Sequence, residues 1–426
     1  MIVDIEIENV KSFKDNTVFS MEVDDETEIG NSSEIKLNSN KTINILKTAA
    51  LFGANASGKS NFITSLKIFR YFLLVQGKNK FREESFRFES ENKNSILKMK
   101  NIIDGKIYEY FLELNFKEQK IIKEELSIED NIRNSIFIRQ NNKIKEYNKN
   151  VFSNHIKTIE FLNETLNDSD SILSRIKEWK VPKEIQKYIN YLEDLIIDNR
   201  NYNIGKFIYT KTKSKKVVLN FLNTFGINVT DIEVHREKDE FFIERLKEYE
   251  SFRKLDDEKK ETILSEIEKY RYHIDFIYKD SKNKKYKLTY SEQSEGTKRL
   301  LLMFLPIYYV LNKGGVVIID ELDKTLHYNL IKKIIKMFNS IENIQNAQLI
   351  FTTHNLMLLD FNLLRKDQIW FLENNNVLKG TELYSLSDIK NYKKDKYLLR
   401  DYLNGNFGGI PKLKDFGIDV WLEKKE

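Results

Sequence analysis

The chain opens on strict alternation. In MIVDIEIENV, Ile5 and Ile7 point one way and Asp4, Glu6 and Glu8 the other, the pattern of a half-buried strand. A second strand is expected over Thr17–Met21, and residues 22–40 read as a polar loop. TINILKTAALFG, residues 42–53, reads as a strand running into a glycine turn. SNFITSLKIFRYFLLV, residues 60–75, has the spacing of the amphipathic helix that follows it. Between Phe86 and Ile128 alternation returns, as in IYEYFLELNF, so strands are expected there.

The period changes near residue 150. Ile159, Leu162 and Leu166 recur at helical spacing within residues 154–200, and Pro182 marks a break. Residues 240–272 read as helix too. There Ile263, Ile267, Tyr270 and Ile274 share a face, with Ile274 bordering on the next strand. A short coiled coil and an ordinary amphipathic helix both fit that pattern. HIDFIYKD and KKYKLTY, joined by Ser-Lys-Asn, read as a hairpin. An α/β pattern then resumes and continues to about residue 384. Strands, then a helical stretch, then strands and helices again describe one α/β head interrupted by a helical insertion. The expected divisions are residues 1–150 for the first part of the head and its β subdomain, and 151–272 for the helical lobe. The second part of the head follows over 273–384, and a tail over 385–426.

The longest apolar run, LLLMFLPIYYV at residues 300–310, falls short of the roughly 20 residues a membrane span needs. It is expected to be a buried helix in a cytoplasmic protein with no membrane contact. The hydrophobic fraction of 41% is enough for a sizeable core. With no cysteine, disulfides and thiolate metal sites are excluded, and five scattered histidines disfavour a histidine-rich metal centre. Lys plus Arg total 70 against 65 Asp plus Glu, a formal charge of +5, which permits nucleic-acid contact without arguing for it.

Three strand ends carry candidate chemistry. Gly53-Ala54-Asn55-Ala56-Ser57-Gly58-Lys59-Ser60 fits G-x-x-x-x-G-K-[ST], with an apolar strand before it and the amphipathic helix of residues 60–75 after it, so these residues and Asn61 are the expected nucleotide contacts. Glycines let backbone N–H groups face phosphates, Lys59 places a charge on the β- and γ-phosphates of ATP, and the Ser60 hydroxyl reaches Mg²⁺. The flanking elements argue against a chance match in a surface loop. Val316–Ile319 is a β-branched run suited to a central parallel strand, ending in Asp320 and Glu321. Asp320 is placed to hold Mg²⁺ and Glu321 to polarise water; paired acids there can also merely cap a helix. Gln348–Asn355 is a third strand end, where His354 could donate to the γ-phosphate.

In this order the motifs resemble the ABC-type ATPase superfamily, near its SMC and RecF branch. Gln293-Ser294-Glu295-Gly296-Thr297 stands where those proteins have Leu-Ser-Gly-Gly-Gln, and Asp323 stands in the D-loop position. The resemblance implies an ABC-type head with a P-loop, a mixed sheet flanked by helices, and an antiparallel β subdomain. It also implies a homodimer or higher homo-oligomer, with Ser294 and the Gly296 N–H meeting the γ-phosphate of ATP held by a second copy. More closely, SEGTKRLL, DELDKTLH, QLIFTTHN, RKDQIWFLE and YLNGNFGGIP are similar to the bacterial abortive-infection ATPases. These include ATPase subunits of two-gene phage-defence systems such as PARIS and the Rlo-type pairs. Thr325 and Tyr328 depart from the Ser and Pro more frequent in that group, and Glu295 replaces a glycine of the wider superfamily. Glu295 is expected to point away from phosphate and support its helix N-terminus. Gln76 reads either as a Q-loop candidate or as a helix-end residue.

Residues 355–426 carry no paired acids on strand ends, so a Toprim nuclease domain does not fit within this chain. The resemblance therefore implies a separate effector, a Toprim-type or other nuclease or toxin. YLNGNFGGIP fits either a docking element or a tail packed on its own head. Two other readings stay open. One is a RecF-like DNA-repair ATPase using the lysines of KTKSKK (211–216) and KNKKYK (282–287), which also read as solvated turns. The other is a nucleotide-locked scaffold, for which Glu321 would be superfluous.

Overall fold

The computed structural model describes residues 1–24, 30–77, 84–88, 93–130, 132–198, 202–210, 213–238, 244, 260, 270–374, 379–389, 392 and 397–410. The helix expected over 240–272 lies almost wholly outside them. Tyr270 and Ile274 are described, and both belong to a strand. Two compact units form. One comprises Met1–Asp198, Tyr309–Lys324 and Ile331–Glu426, the other Asn199–Tyr308 and Thr325–Leu330.

In the first unit, strands β1 (Ile2–Glu8) and β2 (Thr17–Ser20) begin a seven-stranded antiparallel sheet. A short pair, β3 (Ser32–Lys36) and β4 (Thr42–Leu46), precedes β5 (Thr48–Phe52) and the helix α1 (Lys59–Leu74). The strands β6 (Ser95–Ile103), β7 (Lys106–Asn115), β8 (Lys120–Glu129), β9 (Arg133–Gln140) and β10 (Lys143–Tyr147) complete the sheet. Its order is β10-β9-β8-β7-β6-β1-β2. Alternation decides its faces: Ile5 and Ile7 are buried, while Glu6 and Glu8 pair with Lys98 and Lys93 on the outer side. Helices α2 (Ile156–Thr165), α3 (Ile172–Ile176) and α4 (Lys183–Asp194) follow, with Pro182 at the N-cap of α4. Proline suits that place because a helix start leaves its first N–H groups unpaired anyway.

The stretch expected as one strand over 42–53 is two. Lys47 separates them; its side chain is buried and donates to the Ser340 carbonyl at 3.0 Å. β4 pairs antiparallel with β3, whereas β5 enters a six-stranded sheet of order β11-β15-β16-β5-β17-β18. Its further strands are β11 (Ile196–Ile197), β15 (Val316–Ile319), β16 (Gln348–Thr352), β17 (Ile369–Glu373) and β18 (Glu382–Ser385). All pairings are parallel except β17 with β18. Every residue of β5, β15 and β16 is buried, as a covered parallel sheet requires. Buried amides pin the strand starts: Gln348 accepts from Ile2 N–H at 2.7 Å, and Gln368 donates to the Thr48 carbonyl at 2.9 Å.

α1 buries Phe62, Phe69 and Phe72 against rings of the antiparallel sheet and its connections, with Phe19, Tyr110 and Phe116 at 5.2, 5.9 and 6.0 Å between centroids. Beneath them sits a buried ion pair. Arg139 reaches Glu124 at 3.1 Å, and Glu124 also accepts from the Tyr110 hydroxyl and from Ile172 N–H. Residues 402–410, including part of α9 (Leu398–Leu403), pack on β17: Tyr402 and Phe407 stack on Phe371 at 5.6 and 5.8 Å. Of the two readings of YLNGNFGGIP, packing on its own head describes these residues; Pro411 lies outside those described.

The second unit holds helices α5 (Ile204–Thr210) and α6 (Ser214–Thr224) and the antiparallel sheet β12 (Asp231–Lys238), β13 (Tyr270–Lys279) and β14 (Lys285–Thr289). The hairpin read from HIDFIYKD and KKYKLTY is β13–β14, turning at Asn283 (φ 62°). The helix α7 (Glu295–Lys313) follows, carrying the apolar run and an internal Pro306. The helix α8 (Tyr328–Asn339) continues into the first unit. Among the described residues no helix is long and apolar enough to cross a membrane.

Candidate functional site

The parallel sheet brings three sequence motifs to one edge. The glycine loop follows β5, the acids follow β15, and His354 follows β16, which lies between the other two. Carboxyl ends of parallel strands are where such sheets place ligands.

In the loop, Asn55 and Ala56 form an exposed crest, with Ala56 at φ 61°. Ser57, Gly58 and Lys59 are buried, Ser60 is exposed, and Asn61 lies half-buried in the first turn of α1. Gly58 has φ 110°, a conformation that side chains rarely adopt, and a Cβ there would stand 2.5 Å from Thr381 Oγ1. The Lys59 ammonium curls back on the loop and donates to the carbonyls of Gly53 and Ala54 at 2.7 and 2.8 Å. Burial pushes this lysine down to about 8, while Asp320, Asp323 and Glu321 pull the other way. Three acids expected at the site thus lie near enough to Lys59 to act on its charge.

Thr352 organises the acids. Its place in β16 is one residue beyond the Ile319–Phe351 pairing, hence beside Asp320. Its hydroxyl donates to Asp320 Oδ1 at 2.5 Å and accepts from Glu321 N–H at 2.7 Å. Glu321 sits at φ 50°, and its carboxylate meets Lys324 at 3.2 Å. Asp323 accepts from the backbone N–H of His354 at 3.2 Å, which ties the D-loop position to the strand end bearing the exposed imidazole. Gln76 is not brought to this edge. Its amide donates to the Ser174 carbonyl beyond the far end of α1, about 24 Å along a helix of this length.

In the second unit, Ser294 caps α7. Its oxygen accepts from Thr297 N–H at 3.2 Å and pairs with the Thr297 hydroxyl at 2.9 Å. When Thr297 donates in that pair, the Ser294 proton is left for another acceptor. Gly296 lies close to the next loop: a Cβ there would stand 3.1 Å from the Thr325 carbonyl, tighter than an ordinary contact. Glu295 points into solvent and pairs with Lys298 at 2.9 Å, as a first-turn acid does. In the same unit Glu233, His235 and Asp275 come within 4.8 Å of one another. Lys287 bridges the two carboxylates at 3.3 and 2.8 Å, so an ammonium already supplies the positive charge there. Lys215 is likewise paired, with Asp231 at 2.6 Å.

Sequence reading missed the residues that back the loop. Beside Asn61, a cavity of about 290 Å³ is lined by Lys11, Ser12, Phe86, Arg87, Phe88 and Asn374, among others. The aromatic and basic pairing in SFRF was visible in the sequence, but its neighbourhood was not.

The family profile described as "AAA domain, putative AbiEii toxin, Type IV TA system" matches residues 49–360. The chain belongs to this family. That span holds the glycine loop, the stretch 293–297, Asp320, Glu321 and His354. Among solved structures the chain is similar to an SMC head domain from Thermotoga maritima, with 12% identity, 90% of this chain and 98% of that one covered, and a TM-score of 0.44. It is also similar to an SMC head with an extended coiled coil bound to the C-terminal domain of ScpA, derived from Pyrococcus furiosus. There identity is 12%, coverage 90% and 96%, and the TM-score 0.39. No protein of curated function matches it.

Proposed function

We propose that this chain binds and hydrolyses ATP, assembles through composite ATP sites, and controls a separate effector protein in bacterial antiviral defence. One observation carries the ATPase part: the glycine loop with Lys59, the acids Asp320 and Glu321, and His354 follow the neighbouring parallel strands β5, β15 and β16 at one edge of the sheet.

The chemistry follows from the donors present. Lys59 holds two backbone carbonyls, and a triphosphate offers it stronger, charged acceptors in the same hollow. The Ser60 hydroxyl and Asp320 carboxylate form a hard oxygen set suited to Mg²⁺, which would screen the phosphate charge. Glu321, its backbone fixed by Thr352, is the base for the attacking water. His354 would donate to the γ-phosphate. Ser294 and the Gly296 N–H would meet the γ-phosphate of ATP on a second copy, a helix N-terminus being suited to an anion. Hydrolysis is slow, because an assembly held together by ATP must persist. The defence role draws on the family description, which names a toxin of a toxin–antitoxin system. It draws also on the abortive-infection motifs in the sequence. The place of action is the cytoplasm.

The test is a pull-down of Glu321→Gln from native cells with and without ATP. A stoichiometric protein recovered only with ATP supports the defence complex and identifies the effector. Duplex DNA without a protein partner favours the alternative, a RecF/SMC-like ATPase of DNA repair.

A further inference from the structure

Thr381 immediately precedes β18, more than 300 residues from the glycine loop in sequence, and it is buried against that loop. Its Oγ1 lies 2.8 Å from Ser12 Oγ and 3.1 Å from the Ser57 carbonyl oxygen. A hydroxyl has one proton, and a carbonyl oxygen can only accept. Thr381 Oγ1 is placed to donate its proton either to Ser12 Oγ or to the Ser57 carbonyl oxygen, and it latches the loop peptide when the proton lies on Ser57. The Thr381 N–H also donates to the Ser12 carbonyl at 2.6 Å, so the threonine is held from two sides.

The peptide joining Ser57 to Gly58 is planar and trans, so its C=O and N–H point in opposite directions. Holding the carbonyl on Thr381 turns the Gly58 N–H away from Thr381, where it would be free to meet a phosphate held in the loop. Glycine tolerates both signs of φ, so an unlatched peptide here would populate a second orientation that offers the phosphate an oxygen instead. Affinity falls in proportion to the fraction of loops with the competent orientation. We propose that Thr381 is a positioning residue for nucleotide binding: through its hydrogen bond to the Ser57 carbonyl it fixes the Ser57–Gly58 peptide with its N–H toward the phosphate. Its methyl and hydroxyl also account for the glycine at 58, whose Cβ would collide with them at 2.7 and 2.5 Å.

The inference rests on the ATP reading above, and the experiment separates the two. ADP affinity is measured by calorimetry on the full chain for wild type, Thr381→Val and Thr381→Ser, with nucleotide-free melting temperatures alongside. Valine keeps the shape and removes the hydroxyl; serine keeps the hydroxyl. Thr381→Val is expected to weaken ADP binding about tenfold while the melting temperature falls by a few degrees at most, with Thr381→Ser close to wild type on both counts. If valine prevents folding, Thr381→Ala against Thr381→Ser isolates the same hydroxyl. Equal binding by wild type and the hydroxyl-free variant overturns the inference, and so does a loss shared equally by serine. A wild type that binds no ADP defeats the ATP reading and this inference with it.

Discussion

The Lys59 ammonium gives up its proton near pH 8 because burial outweighs the attraction of Asp320, Asp323 and Glu321. Its ordinary value is 10.5, so between about 8 and 10.5 the unfolded chain binds more protons at this residue than the folded one. Its contribution to stability therefore rises with pH across that window. A bound triphosphate favours the ammonium, so ATP binding at about pH 9 should take up a proton. Calorimetry in two buffers of different ionisation heat detects the uptake; a binding heat independent of buffer would sink this account of Lys59. At the cap of α7, Ser294→Ala should cost about 1 kcal/mol of stability. ATP-dependent assembly should fall much further, because the same hydroxyl is proposed to face a second copy's nucleotide. Chemical denaturation and light scattering read the two effects separately, and an assembly defect no larger than the stability loss would assign Ser294 to capping alone.

Among the elements, the glycine loop, the acidic strand end and α7 were legible because each is written in a few consecutive residues. Eight residues define the loop, and a β-branched run followed by two acids defines β15. The supports of the site were not legible, because they cross the fold. Thr381 reaches Ser57, and Gln348 reaches Ile2, over separations no local pattern spans. Residues 42–53 read as one strand because no proline or glycine breaks them before Gly53, and Lys47 is only one polar residue among Asn44 and Thr48. A lone lysine does not announce that the chain is changing sheets there. Tyr270 matched a helical face by spacing, yet it pairs across from Lys238 as the first residue of β13. Inside the antiparallel sheet, Glu124→Gln would leave Arg139 buried beside a neutral amide. Breaking one side of such a pair costs about 3–5 kcal/mol, readable as a lowered denaturation midpoint. A midpoint equal to wild type would mean the three carbonyls that Arg139 also meets suffice for its charge.

For the whole molecule, composite ATP sites would draw on residues from both compact units. One holds the glycine loop and acids, the other Ser294 and Gly296, and two copies would supply both sets to each nucleotide. Glu321→Gln with Mg·ATP should therefore sediment as a dimer or larger, and as a smaller species without nucleotide. Loss of that shift in Lys59→Ala would tie it to the loop, and an oligomer indifferent to ATP would exclude composite sites. The chemistry itself is decided more directly by phosphate release from purified wild type, Glu321→Gln and Lys59→Ala under saturating Mg·ATP. Slow but measurable release by wild type, with neither variant above background and only Glu321→Gln still binding ATP, is the expected result. Release by Glu321→Gln at the wild-type rate, or none from any of the three, would contradict the assignment of this edge as an ATPase site.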